Sequence, residues 1–442
     1  MTKGTEWRAI LFFSLPLMGS SLLQTLYSFV DSIIVGNFVS ATAFGGIGML
    51  NSSIMLLNFC ATSLGTGASI VAAQYFGAER RRDLRETAST GMILSVIEGV
   101  ILALICQLIA GWLIVDFLKT PDNMVAYSTW YFRIYGGGLI FQFLYNAAYG
   151  VLRAHGDSRG AMLFLLVAAI LNVGLDLLFV VVFGWGVPGA AAATVIAQAG
   201  SALACTIYLW HFYPQYAFLK AENRIFRWTK AKKIYGIALP ILCQQAILSI
   251  GFIVLQRLVN SFGEACIDGF AAMQKVESFI HIPSNALNTA ISSFVGQNIG
   301  AGKYDRVRRG YRITALMGMG CCALIAVVLI LNSQPLLGVF NIAADAMAVA
   351  TEHLNILVVC MLFYSVSNIT SGLLQGAGDV KITAVSSFAN LFIRVGVSYI
   401  MAATWINYRC YYYSLPFAWF TAFAINFIRY KTGIWQKKRL VD

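Results

Sequence analysis

The chain contains twelve long apolar stretches in two sets of six, and the second set repeats the first about 223 residues later. Three landmarks return at almost constant spacing: Pro16 and Pro240, Gln74 and Gln297, and Asp157 and Asp379, with offsets of 224, 223 and 222. A duplicated bundle of membrane helices is a common architecture for transporters, because two similar halves can rock about a site held between them. The repeat therefore predicts two related halves within one membrane protein.

Composition also indicates a membrane protein. The chain is 59% hydrophobic and only 11% charged, whereas a soluble protein carries about 25% charged residues. A helix of ~20 apolar residues satisfies its own backbone and crosses ~30 Å of lipid. We predict an all-α membrane protein with twelve transmembrane helices, at 10–38, 44–75, 88–117, 126–151, 160–184, 189–211, 234–262, 267–298, 311–339, 346–374, 382–404 and 411–430.

The basic residues predict the orientation in the membrane. If the spans alternate in direction, 25 of the 31 lysines and arginines fall on the side of the N-terminus. The opposite side has only Lys119 and Arg409 in its loops. Positive loops stay in the cytoplasm, so we expect both termini to be cytoplasmic. The same bias explains the net charge of +12, and it favours contact with anionic lipid over binding of nucleic acid.

Each half has an even number of spans, so both halves begin on the same side of the membrane. The repeats are therefore expected to be parallel and related by an axis near the membrane normal. We predict an N-terminal six-helix lobe at 1–211, a basic cytoplasmic linker at 212–233, and a C-terminal six-helix lobe with a cytoplasmic tail at 234–442.

The sequence offers no sign of an enzyme, a cofactor or a structural metal. Its nine cysteines are scattered without metal-ligand spacing, and we expect them to be small packing residues. No Walker loop, HExxH or GxSxG motif is present.

The informative polar residues lie inside the apolar spans. Asn172 and Asp176 are four residues apart and share one helix face. A helical rise of ~1.5 Å per residue places Asp31, Asp176 and Thr194 at similar depth in the outer half of the membrane. An acid at mid-membrane costs about 2.5–3.5 kcal/mol on insertion scales, so it indicates a function or a partner. A purely structural role in bracing helices stays open for both acids.

The second half does not repeat this set. At the 222 offset Asn172 corresponds to Arg394, so the second lobe has a cation where the first has an amide. We interpret the charged residues of the second half mainly as a buried ion-pair network, and Glu98 in the first half fits either a site or a brace. The second-half residues are Arg257, Lys275, Glu277 and Arg394.

These residues carry a resemblance to a known family. SLPLMGSSLLQTLYSFVDSIIVG, GTGASIVAAQYFGAE, VLRAHGDSRG, LNVGLDLLF and GVPGAAAATVIAQ resemble successive signatures of the multidrug and toxic compound extrusion family. VGQNIGAG, LLQGAGD and FIRYKTGIWQKKRL resemble its second half. The resemblance covers nearly the whole chain, with the segments in order and in register.

The resemblance implies two six-helix bundles that form a V around a central cavity. It implies a monomeric secondary transporter of the cell (plasma) inner membrane, which exports small organic, often cationic, compounds in exchange for H⁺ or Na⁺. Such a transporter needs no cofactor, and its expected partners are these substrates and membrane lipids.

The resemblance also implies site residues. The family's N-lobe cation site corresponds to Asp31, Asn172, Asp176 and Thr194. If the ion is Na⁺, the first three residues are the expected ligands. Tyr131 and Tyr149 correspond more loosely to polar cavity positions, and Arg394 is a further cavity candidate. One branch of the family has acids on helices 7 and 10, but PILCQQAILSIGF and CMLFYSVSNITSG contain none. Coupling is therefore expected in the N-lobe.

One alternative is a flippase for a lipid-linked precursor on a related fold. Such a protein needs cations in its cavity to hold a pyrophosphate, and Arg394 and Arg257 favour it. A membrane-embedded enzyme would need a convergent set of catalytic groups, which the sequence lacks. A receptor or a channel would leave the duplication unexplained.

Overall fold

The computed structural model describes residues 1–213, 225–339, 342–405 and 408–441. The side chains at 27–29, 31–33, 41, 161 and 405 also lie outside the described part. The described chain is almost entirely helical and contains no strand. This confirms the predicted all-α fold class.

Fifteen α-helices make up the described chain. Those of the first half are α1 (Glu6–Phe38), α2 (Ala41–Met49), α3 (Asn51–Gly77), α4 (Arg81–Trp112), α5 (Asp122–Gly137), α6 (Leu139–His155), α7 (Ser158–Asp176) and α8 (Gly186–Phe212). Those of the second half are α9 (Trp228–Asn260), α10 (Glu264–Gly300), α11 (Tyr304–Leu331), α12 (Ser333–Gly338), α13 (Ala344–Ala377), α14 (Val380–Trp405) and α15 (Cys410–Lys431).

Each of the twelve predicted spans coincides with helix. The second, fourth and ninth spans are each divided into two helices, α2 and α3, α5 and α6, and α11 and α12. The break between α5 and α6 falls at Gly138, where a Cβ atom would lie 2.5 Å from the Val195 side chain. Nine helices of the described chain are long and apolar enough to cross a membrane.

The described chain packs as two compact units. The N-terminal unit comprises Leu15–Leu242, and the C-terminal unit comprises Met1–Ser14 together with Cys243–Asp442. The predicted lobes and linker remain a prediction from the repeat, and the packing units divide the chain at other positions. Residues 6–14 at the start of α1 pack in the C-terminal unit, and residues 228–242 at the start of α9 pack in the N-terminal unit.

Glycines bring corresponding helices of each unit into close contact. In the N-terminal unit a Cβ atom on Gly150 of α6 would lie 2.5 Å from the carbonyl oxygen of Gly65 in α3. In the C-terminal unit a Cβ atom on Gly372 of α13 would lie 2.5 Å from the carbonyl oxygen of Asn288 in α10. Gly150 and Gly372 are 222 residues apart, and Gly65 and Asn288 are 223 apart. The sequence repeat is thus a repeat of helix contacts.

Ion pairs hold the first residues of α1 and α9, and their charges are reversed between the units. Glu6 Oε1 lies 3.4 Å from Arg306 Nη1 and 3.1 Å from Arg309 Nε in the C-terminal unit. In the N-terminal unit Lys230 pairs with Asp83. Lys230 corresponds to Glu6 at offset 224, and Asp83 corresponds to Arg306 at offset 223. The acidic start of α1 is therefore complementary in charge to Arg306, and the basic start of α9 is complementary to the equivalent Asp83.

We expect Lys230→Glu to lower the thermal midpoint of the purified protein. The Lys230 side chain is only 8% exposed and also lies 3.9 Å from the centre of the Tyr75 ring, so a carboxylate there would face Asp83. The expected loss is about 1–3 kcal/mol, as for other broken partly buried pairs. Thermal unfolding in detergent measures it, with Lys232→Glu at an exposed position as the control.

The double variant Asp83→Lys with Lys230→Glu restores opposite charges and should recover part of the loss. Equal midpoints for Lys230→Glu and Lys232→Glu, or no recovery in the double variant, would show that this pair does not stabilise the unit.

Candidate functional site

The N-terminal unit contains a cavity of about 550 Å³. Helices α1, α3, α5, α6, α7 and α8 all contribute to its wall. The polar residues of its lining are Ser20, Ser21, Gln24, Asn58, Thr62, Tyr131, Tyr135, Gln142, Tyr145, Asn146, Tyr149, Asn172, Thr194, Gln198 and Ser201. Amides, hydroxyls and aromatic rings thus surround a space large enough for a drug-sized molecule.

Two residues of the predicted cation site meet in the wall of this cavity. Asn172 Nδ2 on α7 donates to Thr194 Oγ1 on α8 over 3.4 Å. The Thr194 hydroxyl in turn donates to the Ala190 carbonyl oxygen over 3.1 Å. This hydrogen bond leaves the Asn172 carbonyl oxygen as an acceptor without a partner among the described residues.

Asp176 lies one helical turn beyond Asn172 and is fully buried. At this residue α7 ends, and a π-helical segment, Leu177–Val182, continues the span. Single π turns within helices occur often at functional sites. Asp31 lies within α1, but its side chain is outside the described residues. The structure therefore brings Asn172 and Thr194 together and buries Asp176 on the same helix.

Tyr131 and Tyr149 both line the cavity. Each is stacked on a second tyrosine of the lining, Tyr135 at a ring distance of 6.0 Å and Tyr145 at 5.7 Å. Arg153 also lies over the Tyr149 ring, at 4.6 Å from its centre. Stacked tyrosine rings present flat, electron-rich faces that attract organic cations.

A cluster of amides in the same wall was not predicted. The Tyr135 hydroxyl donates to Asn58 Oδ1 over 3.2 Å and lies 3.1 Å from Gln142 Oε1. The Gln142 side chain also donates to Asn58. The sequence signal for this cluster is the presence of amides within apolar spans, where polar side chains are rare and usually functional.

The described lining of the cavity carries no formal charge. A neutral polar wall does not by itself compensate the charge of a bound ion. A charged ligand is therefore favoured only if an opposite charge lies near the cavity. The buried carboxyl group of Asp176 is the nearest candidate along α7. The arrangement can therefore hold an organic molecule against tyrosine faces and amides.

Glu98 occupies a different place in the same unit. It accepts a hydrogen bond from the Tyr235 hydroxyl, which ties α4 to the start of α9. These two residues line a smaller, mostly apolar cavity of about 200 Å³. Glu98 therefore does not join Asn172 and Thr194.

Of the four charged residues predicted to form a buried ion-pair network in the second half, Glu277 and Arg394 lie within range of electrostatic interaction. Glu277 Oε1 lies 3.3 Å from His353 Nε2, and Arg394 Nη2 donates to the Tyr411 hydroxyl over 2.6 Å. Arg257 and Lys275 lie at exposed positions of the described chain, so both differ from the buried positions that we predicted.

The described residues contain no group of three or more His, Cys, Asp or Glu side chains placed to hold a metal ion. The nine cysteines are free thiols, and most are buried.

A helical membrane bundle with a polar internal cavity defines the chain as a membrane transport protein. The MatE family model matches residues 16–178 and again residues 240–400. The chain belongs to the MatE family, which consists of transporters and not enzymes. The two matches begin 224 residues apart, at Pro16 and Pro240, as the repeat does.

Named relatives cover almost the whole chain. The probable multidrug resistance protein YpnP of Bacillus subtilis (strain 168) is 25% identical over 440 residues, which are 99% of this chain and 98% of the relative. The probable multidrug resistance protein NorM of Thermotoga maritima is 22% identical over 97% of this chain and 93% of the relative.

Solved structures show the same fold. A multidrug resistance MATE family transporter of the MOP superfamily, in its outward-facing conformation, matches with a TM-score of 0.90 and 23% identity. The match covers 99% of this chain and 98% of that one. A MATE crystal structure in the bent conformation matches with a TM-score of 0.91 at 22% identity.

Proposed function

We propose that the chain is a secondary active multidrug exporter, which exchanges organic, often cationic, compounds for H⁺ or Na⁺ by alternating access. The observation that carries this proposal is the N-terminal cavity, with its stacked tyrosines and amides beside the buried Asp176. The names of the relatives as multidrug resistance proteins support it. We further propose that it works as a monomer in the cell (plasma) inner membrane, with both termini in the cytoplasm and lipids around it.

The proposed coupling step occurs at Asp31 and Asp176. With both carboxylates charged, the pocket attracts a cationic substrate through its field and the tyrosine faces. Binding of H⁺, or of Na⁺ held also by the free carbonyl oxygen of Asn172, removes that negative charge. The substrate then leaves to the outside. One net elementary charge moving through 100 mV is worth about 2.3 kcal/mol. The membrane potential therefore contributes when more cation charge enters than substrate charge leaves, and in a one-for-one exchange the ion's concentration gradient drives the cycle.

Transport by reconstituted vesicles tests this function. We expect export of a fluorescent organic cation under an imposed gradient of H⁺ or of Na⁺, applied separately, and no export by vesicles without protein. A flippase would instead move a fluorescent lipid-linked pyrophosphate between leaflets and ignore both gradients. The described lining of the N-terminal cavity offers no cation for such a pyrophosphate.

A further inference from the structure

Four ionisable side chains from three helices gather inside the C-terminal unit. Glu277 and His281 lie one turn apart on α10, His353 lies on α13, and Arg394 lies on α14. Glu277 Oε1 and His353 Nε2 are 3.3 Å apart. His281 and Arg394 are close enough to interact electrostatically with Glu277. All four belong to predicted membrane spans, where ionisable groups are rare and usually functional.

Two of the four have a buried polar atom without a hydrogen-bond partner among the described residues. These atoms are His281 Nδ1 and Arg394 Nε, whereas Glu277 Oε1 and His353 Nε2 face each other. Leaving one such atom unsatisfied costs about 1–3 kcal/mol, and more for a charged group. Buried ionisable groups with unsatisfied atoms therefore make a poor static brace and suit a centre that gains and loses a ligand.

Aromatic rings enclose the cluster. Arg394 donates to the Tyr411 hydroxyl, and the His353 ring lies 5.5 Å from the rings of both Tyr411 and Tyr412. The His353 side chain is 2% exposed and that of Glu277 is 15% exposed. This enclosure strengthens every charge interaction inside it, because little water is present to screen them.

The cluster occupies the place in the second half that the cavity wall occupies in the first. The corresponding pairs are Ile54 and Glu277, and Asn58 and His281, at offset 223, then Tyr131 and His353, Gln142 and Tyr364, and Asn172 and Arg394, at offset 222. The first member of every pair lines the N-terminal cavity. Where Gln142 donates to Asn58, the Tyr364 ring contacts His281 at 4.4 Å. The second unit thus carries ionisable groups at the positions where the first unit carries neutral ones.

The pairing of Glu277 differs from that of a simple structural ion pair. The permanent cation, Arg394, directs Nη2 to Tyr411, while the nearest partner of the carboxylate is an imidazole. Histidine is the side chain whose charge changes between about pH 5 and 8. Among the described residues, the other ionisable groups around the pair include Cys266 on α10, Cys322 on α11, Glu352 and Tyr364 on α13, Tyr408, and Tyr411 and Tyr412 on α15. Glu352 pairs with Arg409 over 2.7 Å.

We propose that Glu277, His281, His353 and Arg394 form a proton-binding centre of the C-terminal unit. A proton from water binds His353 Nε2, and the resulting imidazolium donates it in a hydrogen bond to the Glu277 carboxylate. Without this proton the charges of Glu277 and Arg394 balance, and with it the centre gains one positive charge. The bond ties α10 to α13, so proton binding changes how these helices hold together. A role in export rests on the proposed function, but the binding of the proton does not.

Nitrogen NMR of the histidine rings tests the centre directly. The chain has only four histidines, so the ¹⁵N-histidine-labelled protein in lipid nanodiscs gives few signals, and His353→Gln assigns one of them. We expect the His353 ring to change from the neutral to the charged form as the pH is lowered, because its proton is shared with the Glu277 carboxylate. In Glu277→Gln the ring should stay neutral throughout, and Glu277→Asp, which keeps the charge, should restore the change.

A second measurement needs no variant of Glu277. Infrared difference spectra between about pH 5 and about pH 8 should show a carboxylate band. His353→Gln should remove this band, whereas His211→Gln, at an exposed position, should leave it intact. A His353 ring that keeps one charge state throughout, or titrates alike in Glu277→Gln, would overturn the proposal. The NMR and infrared measurements do not require export activity. The proton-binding proposal can therefore be tested even if the protein proves not to be an exporter.

In vesicles, His353→Gln should lower export driven by a proton gradient by about tenfold or more, since a coupling charge is lost. The equilibrium affinity for the fluorescent cation should stay within about twofold, because the N-terminal cavity is untouched. Unchanged proton-driven export would overturn the coupling role of the centre.

Discussion

Asp176→Asn is expected to abolish gradient-driven export while the protein still folds and inserts. Asp176 is fully buried at the end of α7, next to the π-helical segment, and the amide keeps the shape of the side chain without its charge. A coupling charge moved through 100 mV is worth about 2.3 kcal/mol, or about fiftyfold in the export ratio. Asp31→Asn should have the same effect if the two acids share the site, as their predicted depth indicates.

The measurement is export of the fluorescent cation by vesicles with matched protein amounts under an imposed gradient. Substrate binding at equilibrium should largely survive, because the tyrosines and amides of the cavity wall remain. Asp116→Asn is the matched control, since Asp116 lies in a second π-helical segment of the same unit, Leu113–Phe117, but is exposed. Full export by Asp176→Asn would place the coupling elsewhere, with Glu98 and Glu277 as the next candidates.

Gly150→Val is expected to prevent stable folding. The new Cβ atom would lie 2.5 Å from the Gly65 carbonyl oxygen. The carbonyl oxygen belongs to one helix backbone and the Cβ atom is attached directly to another, so neither can move aside cheaply. Overpacking of a core side chain already costs about 1–3 kcal/mol, and a clash with backbone should exceed that range. Gly372→Val, with the same 2.5 Å approach to Asn288, should fail in the same way.

Membrane yield and the thermal midpoint in detergent measure this effect. Gly174→Ala and Gly320→Ala are the controls, because a Cβ atom at either glycine meets nothing within 4 Å. If Gly150→Val matched these controls in yield and midpoint, the close contact of α3 with α6 would not limit stability.

The sequence alone predicted the helices, because a helix in lipid must satisfy its own backbone and needs only a sufficient apolar length. It also predicted the duplication, since the landmarks at Pro16, Gln74 and Asp157 keep their spacing in the second half. The four-residue spacing of Asn172 and Asp176 indicated one shared helix face, and the structure places both on α7.

The amide cluster of Asn58 and Gln142 could not be located in advance. Lipid-facing and core-facing positions of a membrane helix are both apolar, so periodicity does not reveal which face meets a neighbour. Only packing of α3 against α6 brings these two side chains together and turns them toward the cavity.

Tertiary structure also decided the partners of the charged residues. Opposite charges within the second half suggested Lys275, Arg257 or Arg394 as partners of Glu277. In the structure the acid lies directly beside His353, 76 positions along the chain, with Arg394 also within electrostatic range. Nothing local in the sequence ties those two positions together. The sequence by itself determined the helices, their repeat and which faces carry polar groups, whereas the choice of partner depends on how distant helices pack, because charge interactions act over only a few ångströms.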